Sequence, residues 1–175
     1  ETLAAAAAVA LDVAGVKILG IGEGRRRPRI TFGTDVAASF DISAARCVVE
    51  NLVFINGIDA QTAMVNVTAA DCVIKDCEFQ LGDGTTEAIL CILTTDAADR
   101  MIVSNNHFWS NAAAGNTAAI RIVGTDNTKI LDNIITGLYA TTGAIENVTT
   151  AGTDHIYAGN KILNRTADAN NKALV

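Results

Sequence analysis

Three carboxylates in the C-terminal half of the chain could act as acids or bases. Asp126 and Asp154 each come just before an apolar segment of the chain, and Glu146 lies between them. Paired carboxylates at a fixed separation cleave glycosidic bonds, because one donates a proton while the other acts as base or nucleophile. Glu146, Asp126 and Asp154 are therefore the candidate catalytic residues. The alternative is structural: corner aspartates accept backbone N–H bonds, and Glu146 would pair with Arg121 on a neighbouring strand.

His107 and Trp109 form a second candidate site. They are two residues apart, so in a β-strand they point to the same face. Aromatic rings with a polar edge can stack on a sugar, which makes the pair a candidate carbohydrate-binding site. An aromatic side chain at a subunit contact is an equally good explanation. The other histidine, His155, falls in an inward row and is expected to be a hydrogen-bonded core residue.

The run Arg25, Arg26, Arg27 and Arg29 is the only concentration of positive charge. It could bind phosphate or another polyanion, but a solvated loop facing acidic neighbours is the preferred interpretation. The net charge of the whole chain is −6. That balance gives no basic footprint for nucleic acid, so we expect no nucleic-acid partner.

The four cysteines match neither a metal site nor a disulfide framework. No Cys/His cluster has zinc-ligand spacing, and we expect no metal and no cofactor. Cys47 and Cys72 fall at equivalent repeat positions, one strand apart, where a disulfide is geometrically conceivable. Buried thiols acting as small apolar side chains are the preferred interpretation.

A repeat of 25 to 29 residues carries these side chains, apart from the arginine run, which precedes the first clear copy. Its copies are similar eight-residue segments, such as CVVENLVF and CVIKDCEF, and periods of this length indicate a stacked solenoid. The copies begin at Cys47, Cys72, Met101, Thr128 and His155.

Alternation within each copy assigns the side chains to faces. The first, third and eighth positions should point inward, with phenylalanines in the eighth. The sixth position places Asn106, Asn133 and Asn160 in register, which predicts an asparagine ladder at a tight bend. The second position points outward yet is apolar in four copies. Because soluble monomers rarely expose such a strip, we predict an interface at Val48, Val73, Ile102 and Ile156.

These patterns predict an all-β fold, a single right-handed parallel β-helix of about six rungs. The Leu-x-x-Leu-x-Leu frame of leucine-rich repeats is absent. One domain spans residues 1–175, with a short α-helical N-terminal cap over 1–12 and rungs over 13–175. The alanine-rich start favours a helix, and repeat stacks need covered ends. Glu1 is not a methionine, and we expect a fragment of a longer chain. Asp12 and Lys17 interrupt the N-terminal apolar stretch before it reaches the length of a membrane span, and we expect no membrane partner.

The whole chain resembles the β-helix segments of bacteriophage and prophage structural proteins of the tail-spike type. The segments that carry the resemblance are VAGVKILGIGEG at 13–24, RPRITF at 27–32, NLVFING at 51–57 and DNIITG at 132–137. Pectate-lyase-like enzymes share the same rung pattern. The resemblance implies a virion or tail-particle component, usually trimeric, in which the β-helix is a stiff shaft or spacer.

The expected function is therefore a non-enzymatic structural component of a phage or prophage particle. The expected partners are further copies of the chain, with a trimer favoured, other virion proteins and a cell-surface glycan. The expected location is the virion or the extracellular space, with a cytoplasmic stage during assembly. The alternatives are a tail-spike-type polysaccharide depolymerase, lyase or hydrolase, and a secreted carbohydrate-binding adhesin.

Overall fold

The computed structural model describes residues 2–3, 9–83, 85–110, 116–139, 143–148 and 152–164. Within these ranges the chain forms short β-strands and one 3-10 turn at Gly24–Arg26. The first strands are β1 (Thr2–Leu3), β2 (Val9–Leu11), β3 (Lys17–Leu19), β4 (Arg29–Phe32), β5 (Phe40–Ile42), β6 (Val48–Glu50) and β7 (Val53–Asn56). Then come β8 (Val65–Val67), β9 (Val73–Lys75), β10 (Glu78–Gln80), β11 (Gly82–Asp83), β12 (Thr86–Glu87), β13 (Leu90–Thr94) and β14 (Ile102–Ser104). The last are β15 (His107–Trp109), β16 (Ala118–Ile122), β17 (Lys129–Leu131), β18 (Ile134–Gly137), β19 (Ile145–Asn147), β20 (Ile156–Ala158) and β21 (Lys161–Asn164).

Three sheets run the length of the molecule, and each coil of the chain adds one strand to each sheet. Sheet 1 has the order β1-β4-β7-β10-β15-β18-β21, sheet 2 the order β2-β5-β8-β13-β16-β19, and sheet 3 the order β3-β6-β9-β14-β17-β20. Pairing within the three sheets is parallel, as between β6 and β9. An antiparallel hairpin of β11 and β12 is inserted between β10 and β13. The protein is therefore a parallel β-solenoid, which confirms the predicted fold class. No helix in the described ranges is long and apolar enough to cross a membrane.

The core is a set of identical side chains stacked from coil to coil. Phe54, Phe79 and Phe108 are in register in sheet 1 and fully buried. Their ring centroids are 4.9 and 4.7 Å apart, with interplanar angles of 10° and 9°. These separations equal the spacing between neighbouring strands, about 4.8 Å. The repeat period therefore fixes the stacking, and the inward rows predicted from alternation are confirmed.

Each coil turns at corners where the backbone adopts positive φ. Asparagine and aspartate tolerate this conformation better than other non-glycine residues, which explains their recurrence beside the strands. Between sheets 3 and 1 the residues are Asn51, Asp76, Asn105 and Asp132, with φ from 53° to 58°. Between sheets 2 and 3 they are Arg46, Asp71, Arg100, Asn127 and Asp154, with φ from 55° to 62°.

The N-terminal segment predicted as a helical cap, residues 1–12, is extended where the structure describes it. Thr2–Leu3 pairs with β4, and Val9–Leu11 pairs with β5. Residues 1 and 4–8 lie outside the described residues. The helix prediction is wrong for the described strands because a helix of this length is marginal on propensity alone. Pairing with sheets 1 and 2 instead buries Leu11.

Candidate functional site

A loop from the first coil lies over the outer face of sheet 1. It connects β3 to β4 and contains Arg25, Arg26 and Arg27, while Arg29 is the first residue of β4. The Arg27 guanidinium forms an ion pair with Glu78 and donates a hydrogen bond to the carbonyl oxygen of Asp76 at 3.4 Å. Glu78 belongs to β10, two strands away from β4 in the sheet. Arg27 therefore anchors the loop to a strand two coils further along.

Glu78 is the centre of a hydrogen-bond network on this face. Its Oε1 accepts bonds from Gln80 Nε2 at 2.7 Å and from Trp109 Nε1 at 3.3 Å, while Oε2 meets Arg27. Burial raises the pKa of Glu78, but the bonds from Gln80 and Trp109 and the charges of Arg27 and His107 outweigh it, so the net shift is downward. The carboxylate is therefore held ionised and is unsuited to donating a proton at neutral pH.

The loop and sheet 1 enclose a cleft that we call the arginine cleft. Its volume is about 300 Å³. Three arginines and one carboxylate residue, Glu78, line it. The lining residues are Gly24, Arg25, Arg27, Arg29, Val53, Glu78 and Gln80.

His107 and Trp109 lie beside this cleft on the predicted outward face. His107 is in register with Glu78 and exposed, and Trp109 is in register with Gln80 and half-buried. The indole N–H of Trp109 is already bonded to Glu78. A sugar at this place would therefore contact the ring of Trp109 and the imidazole of His107, with the arginine cleft next to them.

A second cleft of about 340 Å³ lies on the outer face of sheet 2. Asp41 Oδ1 accepts hydrogen bonds there from Ser39 Oγ at 2.6 Å and from Asn66 Nδ2 at 3.0 Å. Asp41 is the only carboxylate among the lining residues, so the cleft has no acid–base pair. The lining residues are Asp41, Ser43, Asn66, Thr68, Leu93 and Thr95.

Glu146, a candidate acid, forms the predicted cross-strand pair with Arg121. Arg121 Nε donates to Glu146 Oε2 at 2.6 Å, and the two residues are in register. The sequence placed Glu146 outward, but the residue is only 7% exposed. The glutamate is covered and paired, which makes a structural role its simplest explanation.

Asp126 and Asp154, the other two candidates, lie at the corner between sheets 2 and 3. Asp126 Oδ1 accepts the Thr153 N–H at 2.8 Å, and Asp99 Oδ1 accepts the Asp126 N–H at the same distance. The Thr153 hydroxyl lies 3.2 Å from Asp126 and 3.4 Å from Asp154. The structure therefore brings these two carboxylates together, but Asp126 is committed to capping the next coil. In the same corner Asp71 forms a two-point ion pair with Arg100.

His155 differs from the expected hydrogen-bonded core histidine. It is half-buried, and its ring centroid is 6.0 Å from that of Tyr157. Neither ring nitrogen has a hydrogen-bond partner. The inward placement is as predicted, whereas the expected hydrogen bonding of the imidazole is wrong.

The apolar column predicted as an interface lies on the outer face of sheet 3. Val48, Val73 and Ile102 are in register and half-buried, and Ile156 at the far end is 49% exposed. Lys129 separates Ile156 from the other three. The chain therefore covers the column only partly, and three apolar side chains form a continuous strip.

The asparagines at the sixth repeat position hydrogen-bond from coil to coil. Asn106 Nδ2 donates to Asn133 Oδ1, and Asn133 Nδ2 donates to Asn160 Oδ1, both at 3.0 Å. Asn106 Oδ1 accepts the backbone N–H of Cys77, which occupies the same row one coil earlier. The four cysteines, Cys47, Cys72, Cys77 and Cys91, are free thiols and are buried. Burial raises the pKa of Cys77 to about 12.

Sequence reasoning placed Glu78 between Val53 and His107 but missed its contact with Arg27. The two residues are 51 positions apart. The unusual length of the loop between β3 and β4, together with its three arginines, was the available signal. The repeat pattern could not show which coil the loop would reach.

Within the described residues, no group of three or more histidine, cysteine, aspartate or glutamate side chains could hold a metal ion. Comparisons with protein families, with characterised proteins and with solved structures find no match to this chain. The fold therefore defines the class: a parallel β-solenoid, an architecture compatible with a structural protein and with a depolymerase.

Proposed function

We propose that the protein is a non-enzymatic structural component of a phage or prophage particle, a stiff shaft or spacer whose copies associate side by side. The observation that carries this proposal is the half-covered strip of Val48, Val73 and Ile102 on sheet 3. Contiguous apolar surface of this kind usually marks an interaction site. A rigid solenoid with such a strip along its axis suits lateral packing into a shaft.

Charge on the neighbouring surfaces favours a second copy of the chain as the occupant. Lys17, Lys75 and Lys129 lie on the outer face of sheet 3, where Glu50 pairs with Lys17 at 2.7 Å and with Lys75 at 3.2 Å, and Asp76 lies 3.9 Å from Lys75. The corner between sheets 2 and 3, beside this face, has aspartates at successive coils together with Arg46 and with Arg100, which is paired with Asp71. The basic face of one copy would then pack against the acidic corner of the next copy. Such a head-to-tail contact can close into a ring, as in a trimer. The corner aspartates are Asp71, Asp99, Asp126 and Asp154.

The area of the sheet 3 face determines how much further surface a stable interface between two copies would need. Six strands at about 4.8 Å spacing and three residues per strand give sheet 3 a face of about 24 by 10 Å, or about 240 Å². A stable interface buries about 800 Å² on each partner. The face of sheet 3 is too small by itself, and the contact must therefore include the corner residues as well.

The test is the absolute mass in solution, measured by light scattering over a range of concentrations. A trimer of the 18.2 kDa chain is the expected result, and Val73→Glu should dissociate it by placing a charge in the strip. Ile55→Glu is the matched control, because Ile55 is equally half-buried and faces outward on sheet 1. A monomer at every concentration, or equal loss of association in both variants, would refute the proposal.

Carbohydrate binding is the second candidate function, favoured by His107 and Trp109 beside the arginine cleft. Trp109 is the single tryptophan of the chain, so its fluorescence reports directly on this face. A glycan that binds here should change that emission, and His107→Ala should weaken the effect. Titration curves that do not differ between the two proteins would exclude His107 from the site.

A further inference from the structure

We propose that the arginine cleft binds an oxyanion, the carboxylate or phosphate group of a hydroxylated ligand. This inference deepens the carbohydrate-binding candidate by giving its ligand a chemical class, and it is independent of lateral association. It rests on the enclosed volume between the loop and sheet 1, and on the guanidinium groups that line it.

The cleft contains a positive charge, that of Arg25, which no described side chain neutralises. Arg27 and Glu78 neutralise each other, whereas Arg25 adds a further positive charge to the lining. The Arg25 guanidinium has no hydrogen bond or ion pair with any described residue. A guanidinium presents paired N–H donors that match carboxylate and phosphate oxygens. An anion between loop and sheet would therefore receive a charge-assisted bond that Arg25 does not make within the chain.

The wall of the cleft is held in place without a ligand. Arg27 Nε donates to the Gly24 carbonyl oxygen at 3.3 Å, and its other nitrogens reach Glu78 and the Asp76 carbonyl oxygen. Such anchoring lowers the ordering cost of binding, because the loop is already in position. The site is therefore preorganised by the same ion pair that keeps Glu78 from repelling an anion.

Gln80 gives the reason to expect hydroxyl groups on the ligand. Its Nε2 is used in the bond to Glu78, which leaves the amide oxygen as an acceptor for an O–H donor. His107 and Trp109 continue the face beyond Gln80 and Glu78. A volume of about 300 Å³ is at the small end of ligand sites, suitable for one acidic sugar unit or sugar phosphate.

The experiment titrates the full chain with glucuronate, inorganic phosphate and glucose, following Trp109 fluorescence and heat. Saturable binding of glucuronate or phosphate, without binding of glucose, is expected. Arg25→Gln should weaken it about tenfold, the loss of one charge-assisted hydrogen bond. Preference for glucuronate would identify a carboxylated sugar as the source of the oxyanion, and preference for phosphate a phosphorylated one.

Arg26→Gln is the matched control, because Arg26 lies in the same loop but does not line the cleft. It removes the same charge and should leave the affinity within about twofold of the original. Absence of saturable binding by both anions would overturn the proposal, as would equal weakening in the two variants, which would indicate general attraction to a basic loop. Light scattering of Arg25→Gln separates this outcome from loss of lateral association, since the cleft is on sheet 1 and the strip on sheet 3.

Discussion

Replacing Asn133 by alanine should be one of the most destabilising single substitutions in this solenoid. The Asn133 side chain fills all four of its hydrogen-bonding positions. Oδ1 accepts from the backbone N–H and the side-chain Nδ2 of Asn106, while Nδ2 donates to the Val103 carbonyl oxygen and to Asn160 Oδ1. Asn133 is fully buried. Its amide therefore satisfies backbone groups that no other side chain reaches.

The magnitude follows from the groups left without partners. In Asn133→Ala the Asn106 N–H and the Val103 carbonyl oxygen both lose a bond in a buried environment. Each buried polar group without a partner costs about 1–3 kcal/mol, so the two together cost about 2–6 kcal/mol. Domains have a free energy of unfolding of about 5–15 kcal/mol. The variant should lose a large part of its stability.

The assay is urea unfolding followed by circular dichroism and by Trp109 fluorescence, since coils of a repeat protein can unfold separately. Coincident transitions in both signals would permit a single free energy of unfolding. Asn147→Ala is the control, because Asn147 is exposed in β19 and should change stability by less than about 0.5 kcal/mol. A loss below about 1 kcal/mol in Asn133→Ala would refute the reasoning that the ladder amides are required by the backbone.

Two further predictions concern the ladder and the loop anchor. Cys77→Asn should extend the ladder by one coil, because Cys77 Sγ already lies 3.9 Å from the Val49 carbonyl oxygen. We expect the free energy of unfolding to rise by about 1 kcal/mol. A decrease would show that the row cannot accept a larger polar side chain at this position. Glu78 has a pKa below its ordinary 4.5 in the folded state, so its contribution to stability is present above pH 4.5 and is lost as the pH falls through the folded value. Unfolding midpoints between pH 7 and pH 3 should therefore fall less steeply in Glu78→Gln than in the original chain, and equal slopes would contradict this account of the network.

The sequence predicted the interior rows and the asparagine ladder because neighbouring coils have residues of the same type at equivalent positions. A row of identical positions stacks in register whenever strands pair in parallel, so Phe54, Phe79 and Phe108 could be placed together from spacing alone. The same reasoning placed Glu50 beside Lys75 and Arg121 beside Glu146. These are contacts between equivalent positions, and the period determines them.

Features that do not recur from coil to coil could not be predicted from the sequence. Alanine-rich residues before β3 suggested a helix by propensity, but pairing with existing sheets outweighs a weak local preference, as in Val9–Leu11. Alternation assigned Glu146 to the outer face, and only the three-dimensional surroundings show that it is covered. The alternation of residues along a strand predicts the direction of a side chain, but it does not predict which other residues cover that side chain.

The period of the sequence by itself determined the solenoid, its stacked core and the register of its strands, because each copy pairs with the next at a constant spacing. Only the tertiary structure determined the position of the loop between β3 and β4. Arg27 and Glu78 meet across two intervening strand spacings and 51 positions of sequence, a contact between non-equivalent residues that depends on loop geometry. The arginine cleft arises from that contact, which is why its chemistry became visible only in the folded chain.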